Sequence, residues 1–100
     1  MFRQGDVLLI PIDYVPLAAT KQPRKGDIVL AHGEVTGHAH RIKELQADVF
    51  MGAAGTRFLR AAEPVNLTHE EHATVSIPPG AYRIVQQREW DGADSLAVRD

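Results

Sequence analysis

The chain has 100 residues, 44% of them hydrophobic and 24% charged, which suits one β-rich globular domain over residues 1–100 and leaves no room for a second core. A net charge of −2 and an isoelectric point near 6.2 provide no overall basic field, so a nucleic-acid partner is not expected unless Arg57, Arg60, Arg83 and Arg88 converge locally. There is no cysteine for a disulfide, a thiolate ligand or a thiol nucleophile, and the apolar run Val7–Ile10 is too short for a signal or a membrane span; together these predict a cytoplasmic protein without membrane association.

The predicted elements are short. Val7–Ile10, opened by Gly5-Asp6 and closed by Pro11, is a first strand, and residues 13–25, with Pro16 and Pro23, are a loop. Gly26-Asp27 opens a second strand over Ile28–Ala31. The two openings, Arg3-Gln4-Gly5-Asp6-Val7 and Arg24-Lys25-Gly26-Asp27-Ile28, look alike; a duplication would produce this, and turn chemistry before a strand, the preferred reading, would as well. Thr36–Ile42 alternates as a third strand, while residues 44–56 are mixed, with Gly52 and Gly55 marking a hairpin or loose connection.

Phe58-Leu59 and Val65–Leu67 are short strands on either side of Pro64. Thr68-His69-Glu70-Glu71 has the form of a capping box, which predicts one helical turn before a strand at Val75–Ile77. Pro78-Pro79-Gly80 is a turn, and Ala81–Gln87 is the last clear strand. Gln86–Trp90 is a polar strand end on which Trp90 caps a barrel end or, with Arg88, meets a partner; residues 91–94 form a loose polar tail. The expected fold is a small all-β antiparallel barrel or sandwich of about seven to nine strands with at most one short helical turn.

The five histidines fall in two clusters, His32, His38 and His40, then His69 and His72. On a strand His38 and His40 project from one face about 7 Å apart, which lets two imidazoles close on one ion. Thr36 shares that face, Gly37 and Ala39 keep the other face small, and Glu44 can add an oxygen ligand. His69 and His72 share a face of the helical turn, and His69 has the parity of Val65 and Leu67, which points it inward. The candidate metal ligands are therefore His38, His40, Glu44, His69 and His72. A cysteine-free site of this kind suits Zn, Fe, Mn, Ni or Cu.

Gly33, His38, His40, Glu44 and Gly52 resemble the first motif of the cupin family: a glycine, His-x-His, a glutamate and a further glycine. From His72 onward, Pro78-Pro79-Gly80 fits the Pro-x-Gly turn of the second cupin motif, but Arg83 stands where that family has its third metal histidine and Gln87 where it has asparagine. The resemblance implies a compact β-barrel with a divalent metal in its mouth, His69 or His72 replacing the missing ligand. Arg83 stays protonated and cannot ligate.

The reading that follows is a small metal-binding β-barrel with a histidine-lined site, open to a small-molecule ligand and to metal-dependent chemistry. Small size and strand edges predict a homodimer. A second reading is a metal-independent nuclease in which His38 or His40 works with His69 or His72 and Arg83. The Arg-x-Gly-Asp-Val opening of the chain also looks like the start of small-barrel toxin nucleases. A third is a non-catalytic interaction domain with pH-sensing histidines.

Overall fold

A computed structural model describes residues 1–33 and 35–87. The expected roles of Arg88 and Trp90 and the expected tail over 91–94 lie outside these residues.

β1 (Phe2–Gln4) and β2 (Val7–Ile12) form a hairpin around the two-residue turn Gly5-Asp6, with Gln4 opposite Val7. Gly5 has φ 57°, the positive value that such tight turns need and that glycine adopts without strain. β3 (Thr20–Lys21), β4 (Ile28–His32), β5 (Ala39–Ile42) and β6 (Ala47–Met51) follow, then β7 (Arg57–Ala61), β8 (Val65–Leu67), β9 (Val75–Ile77) and β10 (Gly80–Gln86). Every pairing is antiparallel, and the described residues hold ten strands against the seven to nine expected.

Six strands make one sheet in the order β1-β2-β10-β7-β6-β3. The β4–β5 and β8–β9 hairpins form the opposing layer, joined where Arg41 and Thr68 exchange two backbone hydrogen bonds of 2.9 and 2.8 Å. Between the layers lies one apolar core: Val7, Leu9, Leu59, Tyr82 and Ile84 come from the large sheet, and Leu30, Ile42, Val65, Leu67 and Ile77 from the hairpins. Alternation within each strand directs these residues inward, as in Val65 and Leu67 on either side of exposed Asn66. The fold is thus all-β and antiparallel, with the six-strand ladder left open. Among the described residues no helix is long and apolar enough to cross a membrane.

Four local expectations change. β2 runs through Pro11, because β1 ends opposite Leu9 and leaves that stretch of β2 an edge, where a missing N–H breaks no ladder. β3 and β6 pair inside segments expected to be loop or mixed. The third strand starts at Ala39 and not Thr36, since Gly37 takes φ 86° and the His38 amide donates to Val35 O, closing a turn. Residues 68–72 form no helical turn: the Thr68 backbone is committed to Arg41, its hydroxyl donates to Arg41 O at 3.2 Å, and the capping box never closes. The one helical turn among the described residues is the 3-10 turn Ala53–Gly55 between β6 and β7, where Gly52 and Gly55 mark the hairpin.

Candidate histidine-lined metal site

Both predicted histidine clusters meet at one end of the hairpin layer. Ring centroids lie 4.4 Å apart for His40 and His69, 4.7 Å for His69 and His72, 5.8 Å for His40 and His72, and 6.0 Å for His38 and His69. The backbone clasp between Arg41 and Thr68 brings about this meeting, because it places β5 next to the segment that follows β8. His69 continues the inward parity of Val65 and Leu67 and is half-buried, as expected. His32 is exposed and stays outside the cluster.

Glu44 is not brought in. It lies four residues beyond His40 along an extended chain, about 13 Å, and its carboxylate accepts from the Asn66 amide at 3.2 Å and Asn66 Nδ2 at 2.9 Å. Burial works against its charge, but hydrogen bonding from its own backbone amide and from Asn66 prevails and holds its pKa below the ordinary carboxylate value. Arg83, in the middle of β10, is exposed, while its neighbours Tyr82 and Ile84 are the buried residues of that strand.

Asp6 takes the place expected for Glu44. Its Oδ1 lies 3.3 Å from His40 Nε2, and its Oδ2 accepts from Gln86 Nε2 at 3.0 Å. The turn that carries Asp6 is braced from β10 and β1, with the Gln87 amide donating to Asp6 O at 2.8 Å and Arg3 reaching both Gly5 O and Gln87 Oε1.

Gln4 is the second unexpected member. It is 3% exposed, and its Nε2 donates to Leu67 O at 2.9 Å and Ala73 O at 3.0 Å. Two carbonyl partners fix which end of the amide is nitrogen, so Oε1 is the atom 2.8 Å from His40 Nδ1. An amide oxygen only accepts. His40 Nδ1 therefore carries the proton, and the lone pair of neutral His40 sits on Nε2, facing Asp6. His40 is 2% exposed, and that burial, with His69 beside it, lowers its pKa below 6.5 despite the opposing pull of Asp6.

The other rings differ in character. His69 Nδ1 accepts the Glu71 amide at 3.0 Å, so its neutral form presents Nε2–H. His38 Nδ1 lies 2.9 Å from Glu71 Oε2, but the approach is out of line and leaves that buried nitrogen without a hydrogen bond. Glu70 holds the neighbouring loop: its Oε1 accepts the Ala39 amide at 2.9 Å and its Oε2 pairs with Arg41 at 2.9 Å, with the amide bond the main cause of a pKa near 2. Among the described residues no three His, Asp or Glu side chains stand closed as a ready cage for an ion.

Two glycines leave space for the rings. A Cβ on Gly33 would lie 3.2 Å from His69 Nε2 and 3.1 Å from His38 Cβ, and one on Gly5 would lie 2.7 Å from His72 Nε2. Gly26 has the same backbone requirement at φ 73° but nothing within 4 Å, so the two Gly-Asp openings are both turns with different surroundings. Gly5→Ala and Gly26→Ala should each cost about 1–2 kcal/mol for the left-handed backbone. Only Gly5→Ala should also displace His72 and weaken any ligand held by the rings, as paired denaturation and binding titrations would show.

The fold and site define an all-β antiparallel protein with four histidines and an aspartate gathered at one end of two packed layers. Residues 3–87 match the family model described as Domain of unknown function (DUF8820), and the chain belongs to that family. No curated protein and no solved structure matches the chain.

Proposed function

We propose that this protein binds a divalent transition metal between His40 and Asp6, with His72 and His38 completing the nitrogen donors. The observation that carries the reading is the Gln4–His40–Asp6 line. Gln4 Oε1 orients the ring as outer partners of metal-bound histidines do, and Nε2 then faces a carboxylate oxygen at 3.3 Å. Two electron-pair donors held face to face call for a cation between or beside them. Ligands bound at 2.0–2.1 Å lie about 3–3.5 Å from one another, which is the spacing found. Closing the set takes rotation of exposed His72 and half-buried His38. Imidazole and carboxylate donors suit Zn, Fe, Mn, Ni or Cu, and three histidines with one carboxylate leave positions open for water or a small ligand on an ion that takes five or six ligands. The His-x-His pair is also what carries the cupin resemblance, so a cupin-like use of the metal belongs to this proposal. So does a homodimer in a cytoplasmic setting. β1 is the natural edge for pairing, since β3, the other edge, has only two residues.

A second reading rests on the complementary protons of two adjacent rings. His40 Nε2 accepts and His69 Nε2–H donates, with centroids 4.4 Å apart, the arrangement needed for general base and general acid on a phosphodiester. The sequence offers Arg83 as its arginine, and Arg41, which follows His40 in β5, has its guanidinium bound to Glu70 and Gly37 O.

Elemental analysis and titration of untagged protein test the metal. About one equivalent of one of the five ions should bind, weakened by acid as imidazoles protonate. A protein that takes up none of them overturns the proposal, and RNA cleavage that survives a chelator favours the second reading.

A further inference from the structure

A second candidate site lies toward the other end of β4, where the lining residue Val29 stands two residues, about 7 Å of strand, from Ala31, the partner of His40, and it does not depend on the metal proposal. Here the loop before β4 meets β6 and β7 around a cleft of about 340 Å³, a size that accommodates a small organic molecule. Pro23, Val29, Val49 and Met51 form its apolar wall, and Arg24, Lys25 and Arg57 bring positive charge against the single carboxylate of Asp27. Three cations against one anion stand out in a chain of net charge −2.

Arg57 is the telling residue. It is half-buried at the start of β7, and its recorded hydrogen bond runs from Nη2 to Leu30 O. No carboxylate among the described residues pairs with it, so most of the five N–H donors of its guanidinium stay unused beside the cleft. Burial accordingly disfavours its charge and lowers its pKa. Arg24 has a different role: its guanidinium donates to the carbonyls of Gly26, Ile42, Lys43 and Ala47, which clamps the loop and also leaves its charge without a carboxylate. A half-buried guanidinium with free donors, a neighbouring lysine and an apolar wall together match a ligand with one anionic head and a compact apolar body.

We infer that this cleft binds a small organic anion, a carboxylate or phosphate ester, whose head is held by Arg57 and Lys25 and whose body packs on Val29, Val49 and Met51. Calorimetry and amide chemical shifts of the full chain, titrated with phenyl phosphate, benzoate, inorganic phosphate and benzyl alcohol, test this. Phenyl phosphate or benzoate should bind saturably with shifts centred on Val29, Val49 and Arg57, and the comparison of the two identifies the head. Inorganic phosphate and benzyl alcohol, each with half of the recognition, should bind more weakly. Arg57→Met should lower affinity about tenfold to a hundredfold, the loss expected for hydrogen bonds to a charged group. If Arg57→Met does not fold, Lys25→Gln, a change at an exposed side chain, should weaken binding several-fold. No binding of either aromatic anion at millimolar concentration, equal affinity in the Arg57 or Lys25 variant, or shifts produced at these amides only by an oligonucleotide would overturn the inference.

Discussion

Gln4→Leu is expected to lower stability by about 2–4 kcal/mol and metal affinity by about tenfold to a hundredfold, two losses with separate origins. The first arises because Gln4 is buried and its amide ties β1 to the end of β8 and to the segment that follows it. Leucine fills much the same volume but leaves Leu67 O, Ala73 O and His40 Nδ1 without their partner, and an unmet buried polar group costs about 1–3 kcal/mol. The second loss arises because His40 would no longer be held with its proton on Nδ1. Chemical denaturation reads the first, and competition with a calibrated chelator reads the second. A variant that loses stability but binds metal as tightly as the native chain would show that Gln4 is only a structural tie, which would remove the main support for the metal reading.

The histidines were legible because they fall in two tight clusters, paired at spacings of two and three, and set in β-rich surroundings. Their meeting was not, since 28 residues separate His40 from His69 and they are joined only through the fold, by the Arg41–Thr68 clasp and the bonds of Glu70 to Ala39 and Arg41. Thr68 shows why local pattern misleads here: Thr-x-x-Glu is a capping box only while the threonine backbone is free to begin a helix, and here its N–H and C=O are already used across strands. Asp6 was visible as half of a turn motif, and the turn reading was correct. Its second role needed the hairpin to curl toward β5, which no pattern in residues 3–7 encodes. Gln4 carried a usable signal in its position: it is a polar residue next to a turn whose parity, shared with Phe2, faces the opposing layer. The strands β3 and β6 escaped because Thr20–Lys21 is two residues long and Ala47–Met51 mixes small, charged and aromatic side chains without alternation. Arg57 belongs to the local basic patch that the sequence allows, yet its neighbours in the cleft are Arg24 and Lys25, while Arg60 sits over the Phe50 ring at 4.6 Å.

Asp6→Asn is the substitution with the most distinctive signature, because it should move stability and metal affinity in opposite directions. In the metal-free protein the lone pair on His40 Nε2 faces Asp6 Oδ1 at 3.3 Å, an unfavourable contact while the ring is neutral. The pKa of His40 lies below 6.5, chiefly through burial, so the ring is neutral at pH 7. Asparagine can turn its Nδ2–H toward that lone pair and keep its oxygen for Gln86 Nε2, replacing a repulsion with a hydrogen bond. The metal-free variant should therefore gain about 1 kcal/mol near pH 7. As pH falls through the pKa of His40, the gain should disappear, because a protonated ring can donate Nε2–H to the native aspartate. On the proposed metal reading the bound state should behave the other way: a carboxylate ligand would become a weakly donating amide, and affinity should fall by about a hundredfold or more. Combined with His40→Ala, which alone should remove most binding, Asp6→Asn should add little, as expected for two groups acting on one ion. Thermal denaturation with and without the ion, at pH 5 and pH 8, reads all of these effects. A metal-free Asp6→Asn protein less stable than the native chain at pH 8 would mean that His40 is held as an imidazolium and that the pair is an ion pair with no cation to accommodate.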